Sequence, residues 1–162
     1  MALPPPTDLT AGAHVAPDVD LRAARPRRRR GGDARVLVVI AAGGALGAAA
    51  RFALSRTWPT TPGGFPSVTL AVNVIGCALI GVVLVLSGEV WSRHRMLRPF
   101  LGTGVLGGFT TFSTYTVDIA QLVDGGRVGT AAVYLTATLV PALAAVWLSV
   151  ATTRRLVTRR RQ

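Results

Sequence analysis

At 162 residues the chain has the length of one domain, yet half of it is hydrophobic and its mean hydropathy is +0.46, high for a soluble protein of this size. Its net charge of +11 comes from 18 arginines and no lysine, set mostly at the chain ends and in one central loop. None is interleaved with aromatic rings, which excludes the groove or stacking surface of a nucleic-acid binder.

Residues 1–34 hold five prolines and the run Arg27 to Arg30 with almost no large apolar side chain, so they predict a disordered basic cytoplasmic tail. The first apolar stretch, 36–54, is long enough to span a bilayer. Arg29 and Arg30 ahead of it, and Ala48 to Ala50 at its end, also fit an export signal; three further spans follow, which favours a retained helix. Gly43 and Gly47 form a small-xxx-small pair for close helix approach. Arg51 follows one turn later, where it either snorkels to an interface or concentrates anions at a pore mouth.

The second stretch, 68–87, places Thr69 and Asn73 four residues apart on one face. Asn73 either glues helices by a hydrogen bond or turns its amide hydrogens into a pore. Cys77, the single cysteine, reads as a small packing residue. In the third stretch, 99–123, Gly102, Gly104, Gly107 and Gly108 precede Thr110, Thr111, Ser113, Thr114 and Thr116, five hydroxyls in seven positions. That segment is a poor uninterrupted helix, and a break at membrane depth is tolerated where its freed backbone groups are buried in protein or line a polar path. Phe109, Phe112 and Tyr115 recur every three residues, roughly on one helical face. They serve either as packing or, through their positive ring edges, as weak partners for an anion. The fourth stretch, 128–150, repeats the four-residue spacing in Tyr134 and Thr138, with Ala142 next in line.

These readings predict an all-α integral membrane protein of four transmembrane helices, the third broken, with a membrane domain over 35–152 and a basic cytoplasmic C-terminal tail over 153–162. With four spans, fifteen arginines fall on the side of the two termini and the loop after span two, and only Arg56 and Arg127 on the other. Both termini are therefore expected in the cytoplasm of a multi-pass plasma-membrane protein. An enzyme is not expected: His14 and His94 have no nearby cysteine or paired carboxylate, and Asp118 and Glu89 stand singly near span ends.

Taken together, Gly43-Gly44-Ala45-Leu46-Gly47-Ala48 with Arg51-Phe52, Thr69 with Val72-Asn73 and Gly76, and Gly107-Gly108-Phe109-Thr110-Thr111-Phe112-Ser113-Thr114 resemble the Fluc/CrcB fluoride channel family over roughly residues 36–151. The resemblance implies an antiparallel dimer in the lipid membrane with two narrow pores through which fluoride leaves the cell passively. It implies that Asn73 donates its amide to fluoride, that Phe112 and Tyr115 form an aromatic box, and that Thr69, Tyr134, Thr138 and Ser113 line the pore, with Arg51 at its vestibule. It further implies a structural sodium ion (Na+) held by the backbone carbonyls of Gly107 and Thr110, and no redox or organic cofactor. Tyr115 stands where the family usually has Phe, and Ala142 shortens the hydroxyl track.

An antiparallel homodimer needs one sequence to insert both ways, and the one-sided arginines oppose that. They point to a related partner subunit of opposite bias. Two rivals to the channel are a small four-helix multidrug exporter, which needs a membrane-buried carboxylate absent from span one, and a non-transporting membrane scaffold.

Overall fold

Long apolar runs rich in Ala and Leu favour helices, and the Pro and Gly clusters between them set the turns. The computed structural model describes residues 30–61, 63–90 and 96–159, and no strand occurs among them. Helix α1 covers Arg30–Thr57 and α2 covers Ser67–Glu89. A π-helical segment, Arg98–Leu106, passes into the single turn α3, Gly107–Phe109; α4 covers Ser113–Asp124 and α5 covers Val128–Arg159.

Among the described residues, three helical stretches are long and apolar enough to cross a membrane: Ala34–Thr57, Ser67–Glu89 and Val128–Arg159. Their outward faces carry exposed Leu37, Phe52, Ile75, Leu143 and Trp147. So much exposed apolar surface would be a liability in water and matches acyl chains in a bilayer. The chain is thus a multi-pass membrane protein.

Two seams organise the helices. Along the first, α1 lies on the π-helical segment, with Gly43 against Phe100, Gly104 against Ile40, Gly47 against Val105 and Gly108 against Gly44. Gly43, Gly47, Gly104 and Gly108 each face backbone atoms, so a side chain there has nowhere to go. Along the second, α2 packs on α5, where Gly81 meets Ser149 and the Val146 carbonyl. Tyr115 and Leu122 of α4 join Ala131 and Tyr134 of α5 in the buried core, with Leu70 of α2 and Ile119 packed on it. The turn between α4 and α5 needs Gly126, whose φ of +72° is strained for any residue with a Cβ.

The helices overrun their expected ends. α1 starts at Arg30, within the expected tail; residues 1–29 lie outside the described residues, as do Arg93, His94, Arg95, Arg160 and Arg161. α5 continues nine residues past Val150 to Arg159. No Gly or Pro interrupts it after Pro141, Arg is a good helix former, and Thr152 and Thr158 bond back to the carbonyls of Leu148 and Arg154.

Candidate functional site

The helical path from Arg98 to Asp124 is interrupted at Thr110–Phe112, directly after Gly107 and Gly108. Thr110 leaves the helix with an extended ψ of 156°. Asn73, on α2 and 9% exposed, clamps the interruption from the side. Its Nδ2 donates to the Thr111 carbonyl at 2.9 Å, and its Oδ1 accepts the Thr111 N–H at 2.9 Å. The side-chain amide thus replaces the helical partners that the Thr111 peptide gave up.

The hydroxyls of the motif complete the repair. Thr110 Oγ1 donates to the Leu106 carbonyl at 2.9 Å, and Thr111 Oγ1 accepts the Thr114 N–H at 3.1 Å while donating to Thr114 Oγ1 at 3.0 Å. Thr116 Oγ1 donates to the Phe112 carbonyl at 2.9 Å. A threonine ahead of a helix that satisfies its early N–H groups acts as a cap. Ser113 is exposed, its Oγ 3.3 Å from Thr111 Oγ1. Thr110 also fits tightly against α2, where a Cβ on Gly76 would collide with its methyl group.

This rearrangement bears on the two carbonyls expected to hold sodium. In a continuous helix the Gly107 carbonyl would accept from Thr111 N–H and the Thr110 carbonyl from Thr114 N–H. Those donors are turned to Asn73 and to the Thr111 hydroxyl instead. A Cβ on Gly107 would meet nothing within 4 Å, so there is open space beside that residue. Carbonyl oxygens deprived of their helical donors are the kind of ligand that suits a hard monovalent cation. Of the two carbonyls between those of Gly107 and Thr110, that of Gly108 accepts from Arg51 Nε at 3.3 Å. Arg51 is therefore half-buried against the interruption, a placement different from simple snorkelling.

The expectation that Phe109, Phe112 and Tyr115 share one helical face is not met, because the helix between them is broken. Phe109 turns towards Gly76 and joins Leu54, Trp58 and Val72 around an apolar groove, Phe112 is 78% exposed, and Tyr115 is buried. Phe112 and Tyr115 remain neighbours, with ring centroids 5.8 Å apart and planes at 51°. The line of rings continues from Tyr115 to Tyr134 at 5.4 Å and from Tyr134 to Phe65 at 5.5 Å, edge-on at 86°.

Hydroxyls accompany the rings. Tyr115 donates to the Leu135 carbonyl at 3.0 Å. Tyr134, fully buried, donates to Asp118 Oδ2 at 3.0 Å, and Thr69 lies beside the same phenol. Asp118 in turn faces a polar cavity of about 110 Å³ beneath the loop between α1 and α2. One turn after Tyr134, Thr138 is 4% exposed, and its hydroxyl has no hydrogen-bond partner among the described residues. A buried hydroxyl left alone is destabilising unless something transient or bound satisfies it. The structure thus packs Tyr115 on Tyr134 beside Thr69, with Thr138 one turn further along α5, while Asn73 and the exposed Phe112 stand at the interruption and Arg51 reaches it from α1.

The pattern of the family described as CrcB-like protein, Camphor Resistance (CrcB), matches residues 38–150. The chain belongs to the CrcB family. A Streptomyces avermitilis protein named fluoride-specific ion channel FluC 2 is 56% identical over 126 residues, covering 76% of this chain and 78% of its own length. Fluoride-specific ion channel FluC 1 of Streptomyces coelicolor is 54% identical over 138 residues, 85% of this chain and 90% of its own. The FluC 2 protein of Nocardia farcinica is 50% identical over 122 residues, covering 75% and 87%.

Three residues of this CrcB protein gain importance from the geometry. Thr111 is the hub of the interruption, which its place in a hydroxyl run did not single out. Asp118 was legible as an acid near a span end, a signal that marks functional candidates in membranes. Phe65 carries no such signal, since its contact with Tyr134 depends on how the loop after α1 folds back.

Proposed function

We propose that the chain is one subunit of a fluoride-selective channel through which cytoplasmic fluoride leaves the cell passively. The observation that carries this reading is the interruption at Thr110–Phe112, clamped by Asn73, from which rings and the unpartnered Thr138 hydroxyl lead along α4 and α5. The fluoride-specific relatives supply the identity of the ion. One hydrogen of Asn73 Nδ2 is engaged by Thr111. The amide's other hydrogen is the donor offered to fluoride, with the ring edges of Phe112 and Tyr115 beside it. Thr69, Tyr134, Thr138 and Ser113 supply hydroxyls, and Arg51 adds positive charge. Weak, serial donors suit an ion that must leave as readily as it enters.

In this reading residues 98–124 make a fourth, broken crossing, and both termini lie in the cytoplasm. The exposed Phe112 ring and the open space beside Gly107 support an antiparallel partner that covers them and shares a structural sodium ion. With fifteen arginines on one side against two, that partner is a related subunit of opposite bias. A drug exporter is less well supported, because Asp118 is already bound to Tyr134.

Fluoride efflux from liposomes, followed with a fluoride electrode, tests both parts. Efflux is expected when the chain is reconstituted with such a related subunit. Its absence in every combination would sink the channel reading. Full efflux from a stable homodimer of this chain alone would sink only the pairing.

A further inference from the structure

The apolar stretch of α5 ends near Val150, yet the helix continues to Arg159. A helix of about 20 residues crosses the hydrocarbon core, so the turns just beyond that stretch stand at headgroup depth. They are not evenly polar. Ala151, Arg154, Arg155, Thr158 and Arg159 surround one shallow concavity, and their spacing of three, one, three and one places them on a single helical face.

Three guanidinium groups thus converge within two turns, beside one hydroxyl. Glu89, at the end of α2, answers only part of that charge, from 3.8 Å to Arg154 Nε. Arg155 and Arg159 are exposed and one turn apart, a like-charged pair that weakens a helix unless an anion lies between. The opposite end of the molecule has no such cluster among its described residues: Arg56 stands alone, and Arg127 donates to the Gly63 carbonyl.

We infer that this face of α5 binds the headgroup of an anionic phospholipid, its phosphate held by Arg155 and Arg159. Arginine's fork of N–H groups matches phosphate oxygens, and the bilayer presents phosphate at this depth. A zwitterionic headgroup fits less well, because its ammonium would meet the same arginines. The inference rests on α5 crossing the membrane and is independent of which ion the protein conducts.

The test uses the full chain in neutral detergent, heated with short-chain phosphatidylglycerol or phosphatidylcholine, with native protein measured by size-exclusion chromatography. Phosphatidylglycerol is expected to protect at about tenfold lower concentration than phosphatidylcholine. Arg155→Gln/Arg159→Gln should abolish that preference, whereas Arg56→Gln should leave it intact. Arg155→Gln alone, a milder change, should reduce it by at least about half. Equal protection by both lipids overturns the inference. So does a preference that survives the double substitution or falls equally in Arg56→Gln, or protection by inorganic phosphate that matches the lipid's. Fluoride efflux is not the readout, so failure here leaves the channel reading standing.

Discussion

Where α1 crosses the π-helical segment, backbone meets backbone with glycine on both sides; where α4 and α2 meet α5, rings and hydroxyls fill the gap. The first seam contains almost nothing that can exchange hydrogen bonds with a passing ion. The second contains Tyr115, Tyr134, Thr69 and the lone hydroxyl of Thr138. The interruption at Thr110–Phe112 lies between them, tied to the first seam by Arg51 and to the second by Asn73. In the proposed reading the first seam is the rigid scaffold and the second the path. Substitutions at the first should therefore act on folding, and those at the second on flux.

Gly47→Val should have the largest effect. A Cβ there would collide with the Val105 carbonyl and approach the Phe109 nitrogen to 2.8 Å, and neither backbone atom can swing aside. Overpacking a core costs about 1–3 kcal/mol even where side chains can adjust. Here the loss should exceed that, with no monodisperse protein recovered. A Gly47→Val protein with wild-type thermal stability would remove the basis for calling this seam a rigid scaffold.

Asn73→Asp comes next and probes the junction. The carboxylate still accepts the Thr111 N–H but offers no hydrogen to the Thr111 carbonyl, and it adds a buried negative charge. Losing one buried hydrogen-bond partner costs about 1–3 kcal/mol, so fluoride efflux should fall at least about tenfold while the protein still elutes as folded. Efflux at the wild-type rate would show that the clamp does not shape the path.

The two seams differ in how far they could be read from the sequence. The glycine seam was legible, because Gly43 and Gly47 declare a close approach by spacing alone. What could not be read was the pairing across the break. Periodicity put Phe109, Phe112 and Tyr115 on one face, but that holds only for a continuous helix, and the extended Thr110 separates them. The bond of Arg51 to Gly108 and the packing of Phe65 on Tyr134 span 57 and 69 positions respectively, a separation at which local pattern carries no information. Hydropathy also does not mark where a helix ends, since nothing in α5 stops the helix where its apolar stretch stops.

Thr138→Val separates flux from folding within the second seam. The hydroxyl is buried without a partner, so its removal should leave thermal stability unchanged or raise it by up to about 1 kcal/mol. If that hydroxyl instead serves ions in transit, efflux should drop about fivefold, the equivalent of roughly 1 kcal/mol. A large loss of stability would mean that Thr138 has a structural partner and belongs with the scaffold.

Tyr115→Phe should have the smallest effect and draws the finest line. The ring of Tyr115 lies between Phe112 and Tyr134, and its hydroxyl donates to the Leu135 carbonyl. That carbonyl also lies inside α5, where the helix supplies its usual donor, so losing the phenol leaves no acceptor stranded. The expected loss is therefore about 1 kcal/mol of stability, the net worth of one hydrogen bond. Phenylalanine keeps the ring and its positive edge, so efflux should stay within about twofold of wild type. If efflux rises well beyond that while stability falls as expected, the tie to Leu135 restrains the ring during passage. The boundary between scaffold and path would then run through this single side chain, its hydroxyl on one side and its ring on the other.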